Sequence, residues 1–198
     1  SQEGYADSEA GNADDTVVGV GEQLKKVLEE KYHVAVCHDL SVYDMQDGKE
    51  DRNKAYSQAA VAVQNLLDEH PSIEVTIDLH RDGVPDNVHL ETEINGKKTA
   101  KIMFLNGLCR NSNGDVNDFA QNPNLSDNLA FSLQLQLKAK AYFPELVRHI
   151  YLRAYRYNLH FKPRSLLVEV GAQNNTVAEA KNAMEPLADI LYAVLSGK

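Results

Sequence analysis

Apolar positions along this chain recur at two spacings, and the switches between those spacings mark out its elements. Residues 1–15 are polar, acidic and glycine-bearing, and read as a loop outside the core. Thr16 then opens a helical pattern. Val17, Val20, Leu24, Val27 and Leu28 fall on one face and Glu22, Lys25, Lys26, Glu29 and Glu30 on the other, while Gly19 and Gly21 weaken the first turns. Residues 33–38 alternate as a short strand, and 39–52 form a polar connector with an Asp47-Gly48 turn signal. Over 53–69, Tyr56, Ala59, Ala60, Val63, Leu66 and Leu67 return to helical spacing before Pro71 closes the element. An apolar, β-rich run follows at 73–77. Strand, helix and strand in that order predict parallel pairing, a right-handed crossover and a sheet covered on both faces.

In the second half, Asn95-Gly96 lies between 90–94 and 99–105, the strongest short hairpin signal because both turn positions take positive φ. Residues 107–124 are loop-like. A helix is predicted over 126–142, with Leu129, Leu133 and Leu137 in line and Pro144 ending it. Residues 149–159 set Ile150, Leu152 and Ala154 against Tyr151, Arg153 and Tyr155, the pattern of a strand with one wet face. Residues 165–171 form a second buried strand. Thr176 and Glu179 make a capping box for a last helix carrying Val177, Ala180, Leu187, Leu191 and Leu195, which Pro186 should kink or split near Ala183. The sum is a single-domain α/β fold with a mostly parallel (mixed) central sheet and helices on both faces.

Composition narrows this little. A chain of 198 residues suits one domain, able to bury about 70% of its unfolded surface. The balance of 20 basic against 29 acidic residues, net −9, argues against nucleic acid or an anionic membrane surface as the main partner. Cys37 and Cys109 form no CxxC or Cys/His pair, which argues against a thiolate metal site, while a single disulfide stays geometrically open. No apolar run reaches the roughly 18 residues of a membrane helix.

Candidate chemistry gathers at two strand ends. Ile77-Asp78-Leu79-His80-Arg81-Asp82 ends an apolar run in an imidazole flanked by two carboxylates and a guanidinium. Either Asp78 or Asp82 could orient the ring; the alternative is a solvated turn. Glu169 sits among Leu166, Leu167, Val168 and Val170, where desolvation would raise its pKa into the range of a general acid or base. A salt bridge to Arg81 or Lys162 is its structural alternative. His33, His38, His70, His89, His149 and His160 lack a second ligand type at metal spacing and read as satisfied or solvated. Tyr151, Tyr155 and Tyr157 could line a groove, but alternating aromatics on a strand read first as sheet surface. There is no GxSxG, and neither cysteine has an activating neighbour.

Taken in order, the string from Ile77 to Asp82, then Tyr157-Asn158, then Leu167-Val168-Glu169-Val170-Gly171-Ala172-Gln173-Asn174-Asn175-Thr176 resembles the stage II sporulation protein P family. These are zinc-dependent N-acetylmuramoyl-L-alanine amidases of the peptidoglycan, similar to cell-wall amidases of the LytC and AmiC type. Asn128-Leu129-Ala130-Phe131, Pro144 and the helix after Asp15 extend the resemblance over nearly the whole chain. The family opens with a His-Thr-His-x-x-Glu motif whose last portion Ser1-Gln2-Glu3-Gly4-Tyr5 resembles, so its histidines would precede Ser1. Residues 1–198 are expected to be one amidase domain lacking the first residues of that motif.

The resemblance implies Zn2+ held by His80 and Glu3, with Glu22 as the alternative carboxylate, and Glu169 as the catalytic carboxylate. Arg81 and Asn174 are the candidates for binding the stem peptide's carboxylates or the tetrahedral oxyanion. It also implies hydrolysis of the bond between N-acetylmuramic acid and L-alanine, an autolysin's reaction, in septal remodelling and engulfment during sporulation. The expected setting is extracytoplasmic, with a membrane anchor upstream and with peptidoglycan and the stage II sporulation protein D as partners. Two other readings stay open: a non-catalytic wall-binding or partner-docking module, and an endopeptidase acting on the cross-links.

Overall fold

The computed structural model describes residues 3–46, 49–50, 52–118 and 120–198. Asp47-Gly48, read as a turn signal, and Ser1 and Gln2 of the opening motif lie outside the described residues. A 3-10 turn (Ala13–Asp15) leads into α1 (Val17–Tyr32), followed by β1 (Met45–Gln46), β2 (Lys49–Glu50) and α2 (Arg52–Glu69). Then come β3 (Val75–Asp82), β4 (Glu91–Ile94), β5 (Lys97–Ala100) and β6 (Ile102–Gly107). The last elements are α3 (Leu125–Tyr142), β7 (Tyr151–Arg153), β8 (Arg164–Ala172), α4 (Val177–Asn182) and α5 (Met184–Leu195).

The central sheet has the order β3-β8-β6-β7. Two of its three pairings are parallel, β3 with β8 and β6 with β7, and β6 runs antiparallel to β8. Because strand side chains alternate, the register sorts them by face. Ile77, Leu79, Ile102, Phe104, Leu166, Val168 and Val170 point into the main core with Val20, Leu24 and Leu28 of α1, Phe131 and Leu135 of α3, and Leu187, Ile190 and Leu191 of α5. The opposite face carries Leu105, Leu167 and Leu159 with Tyr157 packed on them, and the same alternation puts Met103, Glu169, Asp78 and His80 there. Helix α2 reaches that second face through Tyr56, whose ring lies 6.5 Å from that of His80.

Several boundaries differ from the sequence pattern for identifiable reasons. Residues 33–38 form no strand: His33 caps α1 in the left-handed region at φ 56, and the chain then runs back along the helix, with Val36 N–H donating to Glu29 Oε1. Val34 and Val36 do pack on the core, so the alternation was real but had no neighbour to pair with, and the crossover inferred from it does not exist. The parallel partner of β3 is β8, far along the chain. In the opposite direction, β3 continues past the apolar run through Asp82, so the charged hexapeptide is strand rather than strand end. Glu169 likewise lies inside β8.

On α3 the buried face is Asn128, Phe131, Ser132, Leu135 and Ala139, while Leu133 and Leu137 are 52% and 62% exposed. The polar pair is inside because it has work there: Asn106 donates to Ser132 Oγ, and Asn128 donates to the carbonyls of Lys162 and Pro163. The strand with one wet face expected over 149–159 shortens to β7, all three of whose residues are exposed, so the expected alternation is not there; further on, Tyr157 and Asn158 turn the chain at φ 53 and 58. The lead segment is no free loop either. Tyr5 is buried, its hydroxyl donates to the Val170 carbonyl, and Gly4 bridges to Thr16.

Other local readings hold. The Asn95-Gly96 turn has φ 52 and 76 between β4 and β5. The capping box at Thr176 and Glu179 is formed in both directions. The last helix is split at Ala183, which places Pro186 in the first turn of α5, where a missing N–H costs nothing. Both cysteines are free.

Candidate active site

Adjacent parallel strands bring the chemistry together. His80 on β3 stands in register with Glu169 on β8, both on the face of the sheet away from the main core. Immediately beyond them the register slips from His80↔Glu169 to Asp82↔Ala172, a bulge that Gly171 accommodates at φ 59. Bulges beside functional residues re-aim side chains, and this one turns β8 as it leaves Glu169.

The lead segment supplies the third group. Its position is fixed by Val17 N–H donating to the Glu3 carbonyl at 3.0 Å, by the Gly4–Thr16 bridge, and by Ala6 N–H donating to the Asn175 carbonyl at 2.9 Å. Glu3 Oε2 then lies 3.4 Å from His80 Nδ1 and accepts from the Arg81 backbone N–H at 3.3 Å. On the other side of the ring, His80 Nε2 lies 2.9 Å from Asp78 Oδ1. The sequence left Asp78 and Asp82 equivalent; the structure separates them, because Asp82 pairs with Arg148 at 2.7 Å. Glu22, the alternative to Glu3, is held by His38 at 3.0 Å on the exposed side of α1.

Electrostatics follow from this packing. Burial by itself would discharge the His80 ring, but Asp78 and Glu3 on its two nitrogens outweigh burial and hold its pKa well above 6.5. Burial raises Glu3 and is overcome by His80 and the Arg81 N–H, so Glu3 stays below the ordinary carboxylate value. Glu169 goes the other way. Burial, reinforced by the charges of Asp82, Glu3 and Asp78 and only partly opposed by His80, pushes its pKa up to about 7. Its buried Oε2 has no hydrogen-bond partner among the described residues, and neither Arg81 nor Lys162 forms the salt bridge that was its structural alternative. A carboxyl balanced between its two protonation states, with an oxygen that no other described group holds, can take up and return a proton near neutral pH.

The other named residues are placed as follows. Arg81 is half-buried, with its Nε buried and unpartnered among the described residues. Asn174 uses its amide group to donate to the carbonyls of Pro85 and Val88, at 3.1 and 2.9 Å. Sequence reasoning missed Tyr56 as a site residue and set Tyr157 first on the sheet surface. Tyr56, read as helix core, lies against His80, and Tyr157 meets it edge-on at 5.4 Å. The double left-handed turn at Tyr157-Asn158, whose Asn158 amide donates to the Tyr56 carbonyl at 2.7 Å, locks that contact. No periodicity announces such a turn.

The residues at His80 suit a divalent cation. Two donors on one tetrahedral zinc at about 2.0–2.2 Å stand about 3.4 Å apart, which is the separation of His80 Nδ1 and Glu3 Oε2, 3.4 Å. A carboxylate on the far ring nitrogen, here Asp78, is how a ligating histidine is normally held. A second group, His89, Glu91 and Glu179, brings one ligand atom each within 4.8 Å and could also hold a metal. There, however, Glu179 Oε2 already accepts from His89, Asn175 and the Thr176 N–H as part of the capping box of α4. A cation would compete with all three and would sit at a helix N-terminus, which disfavours positive charge. His89 is better explained as the partner of that buried carboxylate.

Comparisons with known proteins place these observations. A family model described as stage II sporulation protein P matches residues 1–192. No curated protein matches the sequence significantly. Among solved structures, the chain is similar to the CwlD amidase of Clostridioides difficile in complex with the GerS lipoprotein, with TM-score 0.54, 13% identity, and 98% of this chain and 93% of that one covered. It is similar to the N-acetylmuramoyl-L-alanine amidase AmiC2 of Nostoc punctiforme, with TM-score 0.52, 15% identity and the same two coverages, 98% and 93%. It is similar also to the N-acetylmuramyl-L-alanine amidase Ami1 of Mycobacterium smegmatis, with TM-score 0.52, 13% identity, and 98% and 80% covered. At these identities the likeness is one of fold.

Proposed function

Because the chain belongs to the stage II sporulation protein P family, we propose that it hydrolyses the amide between N-acetylmuramic acid and L-alanine in peptidoglycan, as a zinc enzyme acting outside the cytoplasm in wall remodelling and engulfment during sporulation. The observation that carries this reading is Glu169: a buried carboxyl with a pKa of about 7 and a free oxygen, in register with His80 and its Glu3 partner. Amide hydrolysis needs a group that removes a proton from water and then gives one to the leaving amine. A single carboxyl titrating near neutrality can do both.

His80 and Glu3 would hold the zinc, and Asp78 keeps the proton on His80 Nε2 so that Nδ1 is free to bind. The ion, when bound, supplies Lewis acidity that polarises the amide carbonyl and acidifies water. Glu169 accepts the proton of the attacking water and passes it to the nitrogen of L-alanine as the C–N bond breaks. Arg81, whose charge bears on Glu3, is the candidate for stabilising the negative oxygen that develops. Asn174 is the weaker candidate, because its amide hydrogens are occupied by Pro85 and Val88. Tyr56 and Tyr157 wall one side and exclude water there.

Residues 1–198 act in this reading as one amidase domain. The family's opening motif carries histidines whose positions would precede Ser1, and a further donor from them would raise zinc affinity. Among the described residues no helix is long and apolar enough to cross a membrane; attachment would come from a segment upstream, and stage II sporulation protein D is the partner the family suggests. Mass spectrometry of fragments released from sacculi by zinc-loaded protein bearing those histidines tests the reaction. Stem peptides with a free L-alanine amine are expected. Cleavage inside the cross-link would replace the amidase with an endopeptidase, and sacculus binding without any release would leave a wall-binding module.

A further inference from the structure

The open face of the sheet continues beyond the catalytic groups into a second concavity, of about 620 Å³, between residues 108–117 and 152–156. The groove is firmly built. Gly107 lets the backbone of Tyr155 come so close that a Cβ would lie 2.1 Å from the Tyr155 carbonyl oxygen. Leu108 and Arg110 donate their N–H groups to the carbonyls of Arg153 and Ala154 at 2.7 and 2.8 Å, and Asn117 N–H closes the loop on the Cys109 carbonyl at 2.8 Å.

What lines it is unusual for a chain of net charge −9. Arg110, Arg153 and Arg156 converge on the groove. Two other arginines are neutralised, Arg148 by Asp82 and Arg164 by Glu74, but among the described residues these three have no carboxylate partner. The nearby acids of the loop are turned to amides: Asp115 accepts from Asn111 and Asp118 from Gln121. Arg153 is held in place, its guanidinium 5.5 Å over the Tyr151 ring and Nη1 donating to the Tyr151 hydroxyl at 3.1 Å. Tyr155, 67% exposed, lies 5.8 Å from Tyr157, which contacts Tyr56, which faces His80. An aromatic surface therefore joins the groove to the catalytic groups.

We propose that this groove is a subsite for the acidic peptide arm of the substrate, its three guanidinium groups receiving peptide carboxylates while the amide lies at His80 and Glu169. The assignment rests on the amidase reading. Of the two arms that meet at the scissile bond, the sugar is uncharged at its hydroxyls and the peptide carries the carboxylates, and planar guanidinium groups recognise carboxylates in bidentate fashion.

The test is a binding measurement that needs no turnover. An alanyl-glutamyl tripeptide with free carboxylates and its fully amidated counterpart are titrated into the intact chain, followed by calorimetry and by backbone NMR shifts. The free acid is expected to bind about tenfold more tightly than the amide, from one or two charge-assisted bonds, with shifts centred on 108–117 and 152–156. Arg153→Gln/Arg156→Gln should abolish the preference, and Arg110→Lys should weaken it with little risk to folding. Equal affinity for the two peptides, shifts elsewhere, a preference that survives in both variants, or tighter binding of a glycerol-phosphate oligomer than of the peptide would overturn the proposal. Carboxylate preference in a protein that cleaves nothing would uphold the groove and reject the amidase; cleavage without preference would do the reverse.

Discussion

At the scale of single residues, the site is a competition between burial and charge, and Glu169 is where burial wins. Its folded pKa of about 7 lies above the value of 4.5 for a free glutamate. The folded protein therefore binds a proton more readily than the unfolded chain. Stability from this group is fully present below pH 4.5 and is lost as pH rises towards 7. Glu169→Gln should accordingly stabilise the metal-free protein at pH 8 by about 1–3 kcal/mol, and the gain should vanish on acidification below the free-glutamate value; urea titrations in the presence of chelator at both pH values check it. Asp78 works in the opposite sense, holding the His80 ring. Asp78→Asn should lower zinc affinity by about 10- to 100-fold, whereas Asp82→Asn, which frees only Arg148, should leave it within a few-fold. Competition against a chelating dye separates the two. The apolar neighbours of Glu169 and the acids around His80 were legible in the sequence, but which aspartate would reach the ring was not. That choice depends on Arg148, which is distant in sequence and claims Asp82.

At the scale of elements, the pattern told which residues face inward more reliably than what they pair with. Val34 and Val36 face the core without belonging to a strand, and the line of leucines on α3 faces out because Asn128 and Ser132 are needed inside. The inversion is measurable. Leu135→Ala should cost about 2–5 kcal/mol, while Leu133→Ala and Leu137→Ala should stay within about 0.5 kcal/mol. Equal costs in urea denaturation would contradict the assignment of faces. Gly171 is the sensitive point of β8. A Cβ there would meet Asn175 Oδ1 at 2.6 Å and the backbone would remain at φ 59. Asn175 cannot yield freely, since it accepts from Ala172 N–H and donates to Leu90 and Glu179. Gly171→Ala should lose about 1–3 kcal/mol and, by shifting the bulge, reduce activity more than an equally destabilising change such as Leu135→Ala.

At the scale of the whole molecule, the sheet sets a division of labour. One face carries nearly all the apolar packing, with α1, α3 and α5 against it; the other is left for Asp78, His80 and Glu169 and for the aromatic and basic groups beyond them. The hairpin and the split last helix could be read from spacing, because each has a local cause; the α/β class with a mixed sheet holds, although the crossover inferred between 33–38 and 73–77 does not exist. The pairing of β3 with β8 could not, since about eighty residues separate them and no local rule selects one buried strand over another. Nor could the burial of Tyr5, which brings Glu3 to His80 through contacts with Val170 and Thr16. The central claim is that Glu169 moves the proton in hydrolysis at a zinc held by His80 and Glu3. It is tested most directly by the rate at which zinc-loaded protein, with the motif's histidines ahead of Ser1, releases stem peptides from peptidoglycan before and after Glu169→Gln. The variant should bind zinc as the parent does and lose at least about 100-fold in rate; undiminished release by Glu169→Gln would contradict the account.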